Sequence, residues 1–185
     1  MRRAVTLLAA VSLVGTLVGC SVIAPGKSDR DGTWTAKARP FTSPDGYSFN
    51  PPKGWQEGSA RAASQASVVF FAPSIDPAAK FVDNILVGIH PPQQDLETTV
   101  ANTKLGYRTL VPSYRSVVDE PATANGQAAW LLGGTFDYNS VHVENLQLLL
   151  MAAGKQYTVT FSCPAASYAG LADVARTSLL SFHLV

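Results

Sequence analysis

Short apolar runs separated by proline and glycine dominate the chain from residue 45 onward, a pattern typical of β-strands joined by turns. Tyr47–Phe49, Ser67–Ala72 and Phe81–His90 are predicted strands, and each is followed closely by proline. Strands tolerate proline at their ends because no hydrogen-bond donor is needed there. Tyr114–Asp119 is a fourth predicted strand, and residues 121–126 are predicted to form a loop that ends in an Asn-Gly turn.

Three longer strands follow in quick succession, at Gln127–Phe136, Val141–Ala152 and Lys155–Ser162. The connections at residues 137–140 and 153–154 are short, so the strands form an antiparallel meander of hairpins. Nearly every residue from 146 to 151 is apolar, which is typical of a strand buried on both faces. Both sides of the sheet must therefore be covered, and helices are the natural candidates.

Two segments have helical periodicity. In the first, Asp95 is the predicted N-cap. Its apolar face recurs at helical spacing, at Leu96, Val100, Thr103 and Tyr107. We expect Gly106 to weaken or end this helix, because glycine disfavours helices by about 1 kcal/mol. The second helix is predicted at Ser167–Leu180, so the order of elements predicts an α+β fold, a central antiparallel sheet covered by helices.

The first residues of the chain are typical of an export signal. Two arginines precede an apolar run at Ala4–Val18 that is too short to span a bilayer. Leu17-Val18-Gly19-Cys20 resembles a lipobox, in which the cysteine thiolate takes up a lipid and the chain is cut before it. This predicts a lipoprotein signal peptide at residues 1–19 and acylation of Cys20. The alternative is an ordinary secretory signal with a chance cysteine, although no Ala-x-Ala triplet follows the apolar run.

The predicted domain is preceded by a tether. Residues 20–44 are rich in Pro, Gly, Ser, Thr and charged side chains and lack periodicity, which is typical of a flexible linker. As a random coil, its ends would average about 25–30 Å apart. Trp34 is open to two interpretations, an anchor at the membrane interface or the start of domain packing. The folded domain is predicted to span residues 45–185.

Composition excludes several classes of protein. Of the 185 residues, 46% are apolar and 15% are charged, which is typical of a globular protein and not of a disordered one. The formal net charge of +1 argues against nucleic-acid binding, which requires a clustered basic surface. Removal of the signal peptide would leave 12 basic and 13 acidic side chains, a formal charge of −1.

The sequence contains no complete catalytic or metal-binding motif. Gly-x-Ser-x-Gly and His-Glu-x-x-His are absent. The three histidines are well separated, at His90, His142 and His183. His142 and Glu144 share one face of a predicted strand, either as half of a metal site or as a solvated polar pair. We therefore predict no catalytic residue, no metal and no cofactor.

A few single side chains remain as candidates. Cys163 would lack a partner in the chain once Cys20 is acylated, and its apolar surroundings favour a small buried side chain over a reactive thiol. Tyr138 lies at a predicted hairpin tip, where it is a weak candidate for a binding contact, the alternative being a place in the core. Asp119 and Glu120 are adjacent, so in a strand they point to opposite faces and cannot act as a catalytic pair.

Four segments, in this order, carry a resemblance to a known family. They are Asp45–Trp55, with its Gly-aromatic-x-Phe strand, prolines and tryptophan; Gly126–Trp130; Tyr157–Pro164; and Ser178–Phe182. Together they resemble PsbP-like proteins, and with the lipobox they resemble the actinobacterial lipoproteins of the LpqN/LpqT type. The resemblance covers residues 45 to 185.

The resemblance implies an α/β/α sandwich and a non-enzymatic accessory or binding protein. The expected location is the cell membrane, on its extracytoplasmic face, through the lipid on Cys20. The expected partner is an envelope protein or a glycolipid. A lipid or glycolipid carrier, with a pocket between sheet and helix, is the first alternative, and a cell-wall hydrolase is the second.

Overall fold

The computed structural model describes residues 40–58, 66–73, 79–92 and 94–185. The strands are β1 (Phe41–Ser43), β2 (Tyr47–Phe49), β3 (Gln56–Gly58), β4 (Ala66–Phe71), β5 (Asn84–His90), β6 (Arg115–Ala124), β7 (Gln127–Tyr138), β8 (Val141–Ala152), β9 (Lys155–Pro164) and β10 (His183–Leu184). The helices are α1 (Leu96–Leu110) and α2 (Ala165–Leu180). The signal peptide, Cys20 and Trp34 lie outside the described residues.

Seven strands form one antiparallel sheet in the order β3-β4-β5-β9-β8-β7-β6. The predicted meander is its centre, extended at one edge by β6. β5 pairs with β9 although the two strands are far apart in the chain, since Asn84 lies opposite Ser162, 78 residues later. A second antiparallel sheet, β1-β2-β10, is small. The α+β fold predicted from the sequence is confirmed.

One face of the large sheet is apolar and closed. Leu131, Leu148, Val159 and Val87 form one row across four strands and are at most slightly exposed. α2 packs on this face through Ala175 and Leu179, beside the small sheet. The aromatic rings of the small sheet complete this core, since Tyr47 stacks on Phe182 with ring centroids 5.3 Å apart. This is the most thoroughly apolar layer of the domain.

The opposite face carries α1, which packs on β7 and β8. Val100 contacts Leu132 and Leu149, while Tyr107 joins a second cluster with Phe136. Asp95 is the N-cap, as predicted, and its carboxylate accepts a hydrogen bond from the Thr98 amide at 2.8 Å. The predicted helical face is therefore the buried one.

Several boundaries differ from the sequence predictions. Phe41–Ser43 form β1, although they were assigned to the tether, because Phe41 packs against the rings of Phe49 and Phe70. α1 continues through Gly106 to Leu110, because its packing on the sheet outweighs the low helix propensity of glycine. β6 runs on to Ala124 through the predicted loop, because a proline is tolerated on an edge strand. The connection between β7 and β8 is only Asn139–Ser140.

Candidate functional site

The predicted site residues fall into two groups. Leu17, Val18 and Gly19, the predicted cleavage segment, and Cys20 lie outside the described residues, so their processing stays a prediction. Tyr138 was expected at a hairpin tip, but it is the last residue of β7 and is half-buried. Its ring packs edge-on against Phe81, with centroids 6.2 Å apart, because the turn is two residues long and not four. Tyr138 therefore lies beside the turn and not within it, and its role as a binding contact stays a prediction.

The face of the sheet beneath α1 contains a layer of neutral polar side chains that the sequence analysis missed. Asn145 and Gln147 in β8 lie opposite Ser162 and Thr160 in β9, so all four point to the same face. All are buried. Tyr107 reaches this layer from α1. We call Tyr107, Asn145, Gln147, Thr160 and Ser162 the polar layer.

Hydrogen bonds connect the polar layer into a chain. The Asn145 Nδ2 group donates to the Tyr107 hydroxyl at 3.4 Å, and this hydroxyl donates to Gln147 Oε1 at 3.3 Å. Gln147 Nε2 donates to Thr160 Oγ1 at 3.0 Å. The Gly134 amide donates to Asn145 Oδ1 at 3.1 Å. The amides of Asn145 and Gln147 are therefore held in one orientation, because each uses both its oxygen and its nitrogen.

Two stacked tyrosines border the polar layer. The rings of Tyr107 and Tyr114 are 4.3 Å apart and nearly parallel. Burial raises the pKa of Tyr107 to about 12, and burial is also the main cause of the raised pKa of Tyr114. Both hydroxyls therefore stay protonated at neutral pH and act as hydrogen-bonding groups rather than as bases.

The sequence does contain a signal for the polar layer. Thr158, Thr160 and Ser162 alternate with apolar residues in β9, and Asn145 and Gln147 do the same in β8. Alternation of this kind indicates a strand with one polar face. The four apolar residues 148–151 that follow in β8 hide this signal, because they favour a strand that is apolar on both faces.

No protein-family model matches the chain, and no curated protein matches it in sequence. Solved structures match it in fold. The cyanobacterial PsbP protein of Synechocystis is similar, with a TM-score of 0.59 and 19% identity over 85% of this chain and 98% of that one. LpqN of Mycobacterium tuberculosis, described as involved in cell envelope biogenesis, has a TM-score of 0.57 and 16% identity over 80% of this chain and 90% of that one.

The chain has a PsbP-like fold of the LpqN type. A mutant of the protein Mog1 is also similar, with a TM-score of 0.54 and 12% identity over 80% of this chain and 97% of that one. At these identities the likeness concerns the fold. The resemblance inferred from the four sequence segments is confirmed at that level.

Within this PsbP-like fold, acidic groups gather at one end of the closed face. Glu144 lies directly opposite Cys163 across the β8–β9 ladder. Burial is the main cause of the raised pKa of Glu144 and of Asp83. Burial, followed by the nearby charges of Asp83 and Glu144, raises the pKa of Cys163 to about 12. The thiol is fully buried and protonated at neutral pH, as expected for a small core side chain.

Three pairs of oppositely charged or ionisable side chains lie elsewhere in the described part of the chain. Asp119 binds Lys104 and accepts a hydrogen bond from Trp130 Nε1 at 2.9 Å, whereas Glu120 points to the other face and pairs with Arg176 at 2.6 Å. The predicted opposite orientation of these two carboxylates is confirmed. His142 pairs with Asp137 at 2.9 Å on the surface.

In residues 40–58, 66–73, 79–92 and 94–185, no three His, Cys, Asp or Glu side chains lie together as a metal site. Over the same residues, neither helix is long and apolar enough to cross a membrane.

Proposed function

We propose that this protein is an envelope lipoprotein, anchored by an acylated Cys20 to the extracytoplasmic face of the cell membrane. Its folded domain acts as a non-catalytic binding or accessory module for an envelope protein or a glycolipid. The lipobox and the predicted tether support the anchor. The similarity to LpqN, described as involved in cell envelope biogenesis, agrees with this location.

The observation that carries the non-catalytic role is the polar layer. Its amide and hydroxyl groups are buried and hydrogen-bonded to one another, and it contains no charged side chain. These groups therefore order the sheet beneath α1 and are not exposed to a ligand. Because its tyrosine keeps its proton at neutral pH, the layer provides no general base.

The alternatives fit the geometry less well. A cysteine hydrolase requires a thiolate, but the pKa of Cys163 is raised to about 12. A lipid carrier requires a cavity between sheet and helix, but core side chains fill the space under α2. Trp55 stacks on Phe161 there, with centroids 5.7 Å apart, and Leu146 and Leu179 are buried beside them.

Acylation is tested with the two cysteines of the chain. The full precursor is expressed in an actinobacterial host that is fed an alkyne-bearing palmitate analogue. We expect the label and membrane fractionation to be lost in Cys20→Ala and retained in Cys163→Ala, which is the matched control. Label retained in Cys20→Ala, or wild-type protein without any acyl mass, would contradict the proposal.

The binding role is tested by cross-linking in intact cells followed by affinity capture. We expect the wild type to recover the same envelope component repeatedly. Tyr138→Ala, which truncates the predicted binding contact, should weaken this capture. Lys155→Ala, in the exposed turn region between β8 and β9, should retain it. Repeated empty captures by the wild type would argue against the binding role, and equal capture by Tyr138→Ala would argue against Tyr138 as its contact.

A further inference from the structure

Exposed apolar side chains are most frequent around the junction between α1 and β6. The large hydrophobic side chains that are prominently exposed among the described residues are Leu105, Leu110, Val117 and Val185, at 53%, 59%, 60% and 68%. Three of these four fall between residues 105 and 117, where α1 ends and β6 begins. We call the surface formed by Leu105, Arg108, Leu110, Arg115 and Val117 the α1–β6 corner. Grouped exposed apolar residues of this kind indicate an interaction surface.

The same corner is basic. No acidic residue occurs from Thr98 to Val118, whereas this stretch contains Lys104, Arg108 and Arg115. Lys104 is neutralised by Asp119 across the gap to β6. Arg108 and Arg115 form no ion pair within the part of the chain that the structure describes. Two arginines beside exposed leucines match a surface that is negatively charged outside and apolar beneath.

Contacts between the end of α1 and the start of β6 fix the shape of the corner. The Tyr107–Tyr114 stack ties the end of α1 to the start of β6. The Arg115 guanidinium donates to the Tyr114 carbonyl at 3.0 Å, so the side chain stays close to the turn after α1. The ladder shifts between Ser116 and Val118, which leaves Val117 outside the regular pairing with its side chain exposed.

The chain that precedes the domain keeps a membrane within reach. Residues 20–39 lie between the proposed acylated cysteine and Pro40, where the description of the folded domain begins. Twenty residues span at most about 66–72 Å when extended. The domain begins at β1, which packs against β4, and β4 is five strand spacings from β6, a distance of about 24 Å along the sheet. The tether is therefore longer than the distance from its attachment point to the corner. A tethered domain meets its own membrane at high effective concentration, so a weak contact is sufficient.

We propose that the α1–β6 corner docks on the anionic phospholipid surface of the membrane. Arg108 and Arg115 contact the phosphate groups, and Leu105, Leu110 and Val117 enter the headgroup region. The tether argument rests on the proposed acylation, whereas the docking surface itself does not. Docking in this way would turn the free edge of β6 toward the membrane.

The test uses the whole mature chain, residues 20–185, with Cys20→Ala so that no acyl group contributes. Co-sedimentation is measured with phosphatidylcholine vesicles that do or do not contain phosphatidylglycerol. We expect binding to the anionic vesicles only, weakening as salt is added. Arg108→Ala with Arg115→Ala should weaken it roughly 25-fold, about fivefold for each arginine. Leu105→Ser with Leu110→Ser should weaken it about tenfold or more.

Two matched variants control for general loss of charge or apolar surface. Lys155→Ala removes an exposed cation far along the chain, and Val185→Ser removes the fourth exposed apolar side chain. Both should bind within about twofold of the parent chain, with unchanged thermal unfolding. Equal sedimentation with neutral and anionic vesicles would overturn the proposal. So would a loss of vesicle binding in the two control variants as large as the loss in the corner variants. Because no acyl group is present, this result is independent of whether Cys20 is modified.

Discussion

At the scale of single residues, Gly134 determines how closely Tyr114 and the start of β6 approach β7. A Cβ atom at this position would lie 2.5 Å from the Arg115 carbonyl oxygen and nearer still to the Tyr114 ring. The absence of a side chain therefore lets Tyr114 lie flat over β7. The ladder between β6 and β7 is irregular at the same place, since Ser116 lies opposite Gly134 and Val118 opposite Gly133.

Gly134→Ala should destabilise the domain by about 1–3 kcal/mol, because the new methyl group overlaps the backbone and ring that cover it. Urea unfolding measures the change. Gly170→Ala is the control, since nothing lies within 4 Å of that position in α2. This variant should gain about 0.5–1 kcal/mol from the higher helix propensity of alanine. A Gly134→Ala protein as stable as the wild type would refute the close contact.

Tyr107 is the residue on which the polar layer depends, because its hydroxyl both accepts from Asn145 and donates to Gln147. Tyr107→Phe should cost about 1–3 kcal/mol of unfolding free energy, since two buried amides lose a partner. Tyr138→Phe, at a half-buried ring, should change stability by less than about 0.5 kcal/mol. Equal effects of the two variants in urea unfolding would show that the layer contributes nothing.

At the scale of elements, the two helices begin differently. α1 has a side-chain cap, whereas Pro164 at the N-cap position of α2 provides none. α2 also has three buried residues in the closed core, so its packing compensates for the missing cap. The start of α1 therefore depends on its N-cap residue Asp95, whereas the start of α2 depends on packing in the core.

The cap of α1 should fail in acid. Hydrogen bonds from Thr98 hold the pKa of Asp95 below its ordinary value of 3.8. A carboxyl with a lowered pKa stabilises the folded state above that ordinary value, and the contribution is lost as the pH falls through the lower, folded pKa. The protection factor of the Thr98 amide, measured by NMR hydrogen exchange, should decrease in the wild type as the pH falls below 4. Asp95→Asn keeps a capping oxygen that does not titrate, so the protection factor of Thr98 in this variant should not fall with pH. A fall of the same size in the variant would contradict the mechanism.

At the scale of the whole molecule, two carboxyl groups oppose stability at neutral pH. Burial raises the pKa of Asp83 and of Glu144 above the ordinary values of 3.8 and 4.5. Groups with a raised pKa stabilise the fold while protonated, and this contribution is lost as the pH rises through the folded pKa. Burial lowers the pKa of His90, which acts with the opposite sign, since its contribution is lost as the pH falls below 6.5.

The double variant Asp83→Asn, Glu144→Gln should unfold at a higher temperature than the wild type at pH 7 and at nearly the same temperature at pH 4. The difference between the two proteins isolates the carboxyl groups, because His90 is common to both. Asp173→Asn, at an exposed position of α2, serves as the control and should follow the wild type. A constant difference across this pH range would mean that the two groups do not titrate as described.

The sequence by itself determined the kinds of elements and most of their order. The N-cap of α1 and the two-residue turns at Asn125–Gly126 and Ala153–Gly154 are local features, visible in the spacing of a few residues. Both turns have positive φ at both positions, as hairpins require. The periodicity of α1 also indicated its buried face correctly, because a helix repeats that information every turn.

Only the tertiary structure decided which strands are neighbours and what packs against the polar face of the sheet. β9 lies between β5 and β8, so the pairing of Asn84 with Ser162 joins residues far apart in the chain. The polar layer exists because Tyr107 arrives over Asn145 and Gln147 from another element. Local periodicity specifies which residues share a face, but their partners depend on burial and pairing across the whole fold.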